Sequence, residues 1–159
     1  MTLNKDGMVD LKLIFMGYDA AYERLKAQRV QAKKEDDSRL LYVPLLETLG
    51  WADVIEERLE DGHGKDWIKK LPLSQDLEGI VLGFRYARNV VHHRWHIAVE
   101  LDDEPGILKD WRWKEYLPST GKPQPTNKAA YENNLAGRAL RHAFKDLHRI
   151  YGAAELHLS

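Results

Sequence analysis

Residues 85–96 read RYARNVVHHRWH, which sets three arginines, three histidines and one asparagine within twelve positions. Cleavage of RNA by its own 2′-hydroxyl needs a group that exchanges protons near neutral pH, and imidazole is the side chain suited to that. It also needs a fixed positive charge against the phosphorane oxygens, which the planar guanidinium fork supplies. An amide beside them can orient the phosphate or the ribose. Arg88, Asn89 and His93 offer these three groups in order.

Two other readings fit the same residues. A solvated helix face, or one packed on a partner, accounts for a basic ridge without any chemistry. A metal site is the second, because His92 and His96 stand at i and i+4, a spacing from which one helix face can ligate zinc. His142 and His148 join them only if the last helix packs opposite. No H-E-x-x-H pattern accompanies the pair, so neither a metal nor another cofactor is expected.

The run Arg88-Asn89-Val90-Val91-His92-His93 resembles the R-N-x-x-x-H form of the R-x4–6-H motif of the HEPN ribonuclease superfamily. The resemblance implies a small α-helical bundle with the motif on a late helix and no metal. It also implies a homodimer whose two motifs meet across a cleft, so that each active site is composite. RNA cleavage in toxin–antitoxin, abortive-infection or other phage-conflict systems would follow, with RNA as substrate and an antitoxin or host protein as a further partner. On this match Arg88 takes the arginine's role, Asn89 that of the polar residue beside it, and His93 the histidine's. Arg85 and His92 fit the longer spacing of the same motif, but only Arg88–His93 brings an asparagine directly after the arginine. Arg85, His92 and His96 are then candidates for substrate contact. A second resemblance, carried by GFRYARNVVHHRW, DWRWKEYLP and AAYENNLAGRALRH, runs from Val43 onward and is to actinobacterial and actinophage proteins. It implies a role in phage or other mobile elements. The competing function is a non-catalytic helical protein that binds and inhibits a host or phage protein.

The elements that must carry these residues follow from apolar spacing. Ile14, Tyr18, Ala21 and Leu25 predict a first helix over about 9–34. Pro44 suits a first helical turn and predicts a second helix starting there, with Leu45, Leu49, Ala52, Ile55 and Leu59 inward and Glu47, Asp53, Glu56 and Glu57 outward. Ser74, followed by Asp76 and Glu78, predicts a third helix, expected to run to Leu101, roughly 40 Å at 1.5 Å per residue. On it Arg85, Asn89, His92, His93 and His96 share an arc of about 100°. Arg88 flanks that arc, while Ile80, Phe84, Ala87, Val91, Trp95 and Ala98 form the opposite, core face. DDEPG is a turn, and 107–117 is expected to be a small extended or β-hairpin insertion in a loop spanning about 102–126. Its Trp111 and Trp113 either stack on bases or, the preferred reading, cover one end of the bundle. A short helix over 128–134 and a last helix over 138–151 follow. The last helix carries a basic stripe (Arg138, Arg141, His142, Lys145, His148, Arg149) opposite Leu140, Ala143, Phe144, Leu147 and Ile150. The whole predicts one all-α domain over 1–159, a four- to five-helix bundle of HEPN-like form.

Composition narrows the choices. With 24 Lys+Arg against 25 Asp+Glu the formal net charge is −1, so affinity for nucleic acid must come from a local patch or a cleft between copies. There is no cysteine, which removes disulfides, thiolate metal sites and thiol catalysis. No apolar run reaches the roughly 20 residues that span a bilayer. The run Leu11–Met16 is short and interrupted by Lys12, so no signal peptide and no membrane partner are expected, and a cytoplasmic location is.

Overall fold

The chain opens with two long helices that fold back on each other. The structure is a computed structural model that describes residues 5–74, 76–94, 98–101, 110–119 and 121–158, with backbone alone for 5–10. α1 spans Lys5–Glu35 and α2 spans Arg39–His63. Antiparallel pairing brings Gly17 under the Trp51 indole and joins Arg24 to Glu47. The second helix begins before Pro44, not at it. Asp37, just before the N-cap Ser38, accepts the Arg39 backbone N–H at 3.0 Å and so satisfies one free donor of the first turn, which leaves Pro44 buried inside the helix.

A 3₁₀ turn, Trp67–Lys70, leads to α3, Leu77–Arg94. This helix is shorter than its apolar stripe predicts. Beyond it, Val99–Leu101 forms strand β1, antiparallel to β2, Trp111–Trp113, with Val99 opposite Trp113 and Leu101 opposite Trp111. Ala98 is buried as the stripe requires and Val99 beside it is buried too, but strand partners satisfy their backbone; the Ala98 carbonyl accepts from Lys114 N at 3.1 Å. The expected hairpin is therefore real, and its first arm is the segment assigned to the helix end. Both β2 indoles belong to the core, 3% and 0% exposed, and neither is available to stack on a base. Arg112, between them, donates to the Gly137 carbonyl at 3.1 Å.

α4, Pro125–Asn134, and α5, Leu140–Leu158, complete an all-α bundle with one small hairpin. Both are longer than the 128–134 and 138–151 expected. Pro125 takes the first turn of α4, where its missing N–H costs nothing. On α5 the apolar face continues through Tyr151 and Ala154. α4 lies against α3 because Gly83 has no side chain. A Cβ there would sit 3.2 Å from Tyr131 Cα, 3.3 Å from the Ala130 carbonyl and 2.8 Å from Leu135 Cδ1. Since two of those atoms are backbone, Gly83→Ala is expected to cost about 1–3 kcal/mol by overpacking, read as a lower urea midpoint with an unchanged slope. Trp113 packs edge-on to Phe84, with ring centroids 5.9 Å apart, and Phe144 closes the cluster 4.9 Å from Phe84. This cluster holds α3 and α5 against the hairpin.

Candidate functional site

The last three turns of α3 carry the motif. Its inward face is the predicted one: Ile80, Phe84, Ala87 and Val91 are all buried. Tyr86 and Val90 are buried as well, because α4 covers that flank, and the Tyr86 hydroxyl donates to the Leu117 carbonyl at 2.8 Å. The polar arc left over is narrow. Trp95 and His96 lie outside the described residues, so the expected His96 contact and the His92–His96 pair lie there too.

Arg85 does not project into solvent. It donates from Nε to Glu56 at 2.6 Å and from Nη2 to Glu60 at 2.9 Å. Glu56 is 3% exposed and also accepts from the Tyr151 hydroxyl at 3.0 Å. The outward placing of Glu56 is therefore corrected. Leu49, Ala52, Glu56 and Leu59 repeat at spacings of three, four and three, an inward seam in which Glu56 is the charged member. Burial pushes its carboxyl above the usual carboxylate range, with the Arg85 and Arg88 guanidiniums opposing. Arg85 itself is held above its ordinary value, since the Glu56 and Glu60 carboxylates outweigh the burial that works against its charge.

Arg88 lies one turn further on. Its side chain is 18% exposed and pairs with Asp53 of α2 at 3.0 Å. Asn89 is half-buried and has a partner; His92 and His93 are exposed. These histidines and Arg94 occupy the final turn, where the Arg94 guanidinium complements the negative end of the helix dipole. At 100° per residue, His92 stands about 40° from Arg88, and His93 about 40° from Asn89 on the far side. Arg88 and His93 are thus separated by about 140° around the same helix. One copy of α3 brings Arg88 to His92 and Asn89 to His93, but it does not bring Arg88 to His93.

Arg141, His142, Lys145, His148 and Arg149 are exposed on α5 as predicted, opposite a fully buried apolar face, whereas Arg138 is half-buried and precedes the helix. The stripe's contacts run to α1 and Asp110, while Arg85 and Arg88 of α3 turn to α2. Arg141 and Arg29 of α1 both bind Asp110, at 2.6 Å and 3.1 Å, and His148 approaches Asp19 at 3.7 Å. Burial raises the Asp110 carboxyl, but the bond from Arg141 and the charge of Arg29 outweigh it and hold that group below the usual range. Among the described residues no group of three or more His, Asp or Glu is placed to hold a metal ion. No described helix is long and apolar enough to cross a membrane.

No protein-family model matches the chain, and no solved structure does. Two curated proteins share a segment with it. Each bears the name NADPH-dependent stearoyl-CoA 9-desaturase, one from Mycobacterium tuberculosis strain CDC 1551 / Oshkosh and one from strain ATCC 25618 / H37Rv. Both are 32% identical over 84 residues, covering 43% of this chain. The chain spans 19% of the length of these relatives, a local similarity to part of a much longer protein.

Proposed function

We propose that this protein is a HEPN-like, metal-independent endoribonuclease that acts as a homodimer. The observation that supports it is the arrangement on α3: a guanidinium pinned by Asp53, an amide beside it, and two exposed imidazoles on the next turn. His93 serves as general acid/base, Arg88 stabilises the phosphorane, and Asn89 positions the scissile group. The 2′-hydroxyl loses its proton to an imidazole and attacks the adjacent phosphorus. The P–O5′ bond breaks, the leaving oxygen takes a proton, and a 2′,3′-cyclic phosphate remains. The roughly 140° between Arg88 and His93 is the reason for the dimer: the arginine of one copy meets the histidine of the other across the twofold axis. His92, nearer to Arg88, contacts substrate on the arginine's side. Arg85 supports the site from behind, through Glu56. A role in phage conflict and a cytoplasmic setting belong to the same proposal. The test is cleavage of RNA by purified protein in excess chelator, wild type beside His93→Ala. Cleavage by the wild type alone supports the reading, and intact RNA in both tubes ends it.

One observation favours the second reading, a helical protein that binds and inhibits a host or phage protein. Arg85 and Arg88 are both already engaged by carboxylates of α2, as arginines with a purely structural role would be. Inhibition of the target that survives His93→Ala distinguishes it.

A further inference from the structure

The N-terminal half of α5 borders an open recess of about 640 Å³, lined by Arg138, His142, Lys145, Asp146, His148 and Arg149. That volume lies inside the range of about 300–1,000 Å³ typical of ligand sites. Arg138 is tied to Asp146 at 2.9 Å, whereas Lys145, Arg149 and His142 are exposed and make no ion pair among the described residues. Within α5, His142, Lys145 and Arg149 follow at steps of three and four residues, about 4.5 and 6 Å of rise, with Arg138 just before the helix. Lys145 and Arg149, two cations one turn apart and unpaired among the described residues, suit a ligand whose charge repeats along its length.

The second feature is aromatic. Tyr18, Tyr22 and His148 form a nearly parallel triad: Tyr18 and Tyr22 lie 6.1 Å apart at 9°, and His148 lies 5.1 Å from Tyr22 at 23° and 6.1 Å from Tyr18 at 20°. Tyr18 is fully buried, and the His148 side chain is 49% exposed and reaches the recess. A flat ring held in plane by two tyrosines, beside a file of cations, provides the two things single-stranded nucleic acid uses: a face for a base and charges for the phosphates. An acidic protein segment would use the charges and leave the ring without a role.

We infer that the α5 recess binds single-stranded RNA, with Lys145 and Arg149 on consecutive phosphates and His148 stacked on a base. The choice of RNA rests on the cleavage reading, which this site deepens by supplying a hold on the strand away from the α3 motif. It also answers the overall charge of −1, since the basic residues are gathered where the strand lies.

The experiment is fluorescence anisotropy of the full-length protein with a labelled 2′-O-methyl oligouridylate, which cannot be cut, across a salt series. The wild type should bind, and Lys145→Ala/Arg149→Ala should bind at least tenfold more weakly. Its salt slope should be shallower by about 1.4, at roughly 0.7 for each single-strand phosphate that no longer meets a cation. His148→Ala should weaken binding about 5- to 150-fold, the usual value of one base stack, at an unchanged slope. Retained affinity and slope in the double variant overturn the inference. So does a wild type that ignores the oligonucleotide, or one whose bound oligonucleotide polyglutamate displaces as well as unlabelled RNA does. Cleavage of a dinucleotide, whose single internal phosphate cannot meet both Lys145 and Arg149, reads the other site. If it proceeds while the double variant binds normally, this inference alone falls. If it is absent while the variant loses binding, the cleavage reading alone falls.

Discussion

His93→Ala is expected to abolish measurable RNA cleavage, with a rate loss of about 10²–10⁴, and Arg88→Ala a loss of about 10²–10³. Neither should unfold the protein. His93 is exposed on the final turn of α3, where substitutions away from packed features cost within about 0.5 kcal/mol. Arg88, 18% exposed, gives up its ion pair to half-exposed Asp53 and part of the charge that offsets the burial of Glu56, so its loss is read beside a denaturation curve that should still show a cooperative fold. Mixing the two inactive variants then reports on the geometry. If Arg88 and His93 meet across a dimer, each mixed dimer carries one site with both residues intact and one with neither. Since random pairing makes half of the dimers mixed, about a quarter of the wild-type rate should return. A site assembled within one copy returns nothing on mixing. His92→Ala is the control for the neighbouring imidazole, which belongs to the Arg85–His92 spacing and also stands nearest Arg88 on the helix. If His92→Ala is the silent variant and His93→Ala cleaves normally, the assignment moves to Arg88–His92.

Arg85→Ala should instead act on stability. It leaves Glu56, 5% exposed at its side chain, with Tyr151 as its remaining bonded partner. Stranding a buried charge in this way costs about 3–5 kcal/mol. The pH dependence identifies the cause. Glu56 already binds its proton more tightly folded than unfolded, because burial raises it. Its contribution is therefore greatest below its ordinary value of 4.5 and is lost as pH rises through the folded value. Removing the guanidinium that opposes burial enlarges that loss, so the deficit of Arg85→Ala should be largest near neutral pH and shrink on acidification. Asp110 works in the opposite sense. Held below its ordinary 3.8, it contributes above that value and loses its contribution on further acidification. Denaturation curves between about pH 4.5 and 7 separate the two. An equal deficit across that window would mean that Arg85 stabilises through packing and not through Glu56.

The bundle itself was legible because its helices are amphipathic with few interruptions. Ile80, Phe84, Ala87 and Val91 on α3, and Leu140, Ala143, Phe144, Leu147 and Ile150 on α5, are all placed by helical spacing and all buried. The end of α3 was not legible. Ala98 continues the helical stripe, and it is buried, but a residue can reach the core from a strand as well as from a helix. Pairing with β2 decided between them, and pairing is a long-range property that periodicity does not carry. The same limit hid the partners of the motif. Asp53, Glu56 and Glu60 lie some 25–35 residues before Arg85 and Arg88, and nothing local joins them. The seam Leu49, Ala52, Glu56, Leu59 was the available signal that Glu56 points inward. The angle between Arg88 and His93, by contrast, follows from their spacing alone once both lie within one α-helix.

The central claim is that the α3 ridge cleaves RNA through the substrate's own 2′-hydroxyl. It is tested most directly with two oligonucleotides in excess chelator, one all-ribose and one carrying a single cleavable linkage whose 2′-hydroxyl is replaced by hydrogen. The all-ribose strand should be cut to fragments ending in 2′,3′-cyclic phosphate, detected by mass, and the substituted linkage should stay whole. Cutting at the substituted linkage, or two intact strands, would contradict the account.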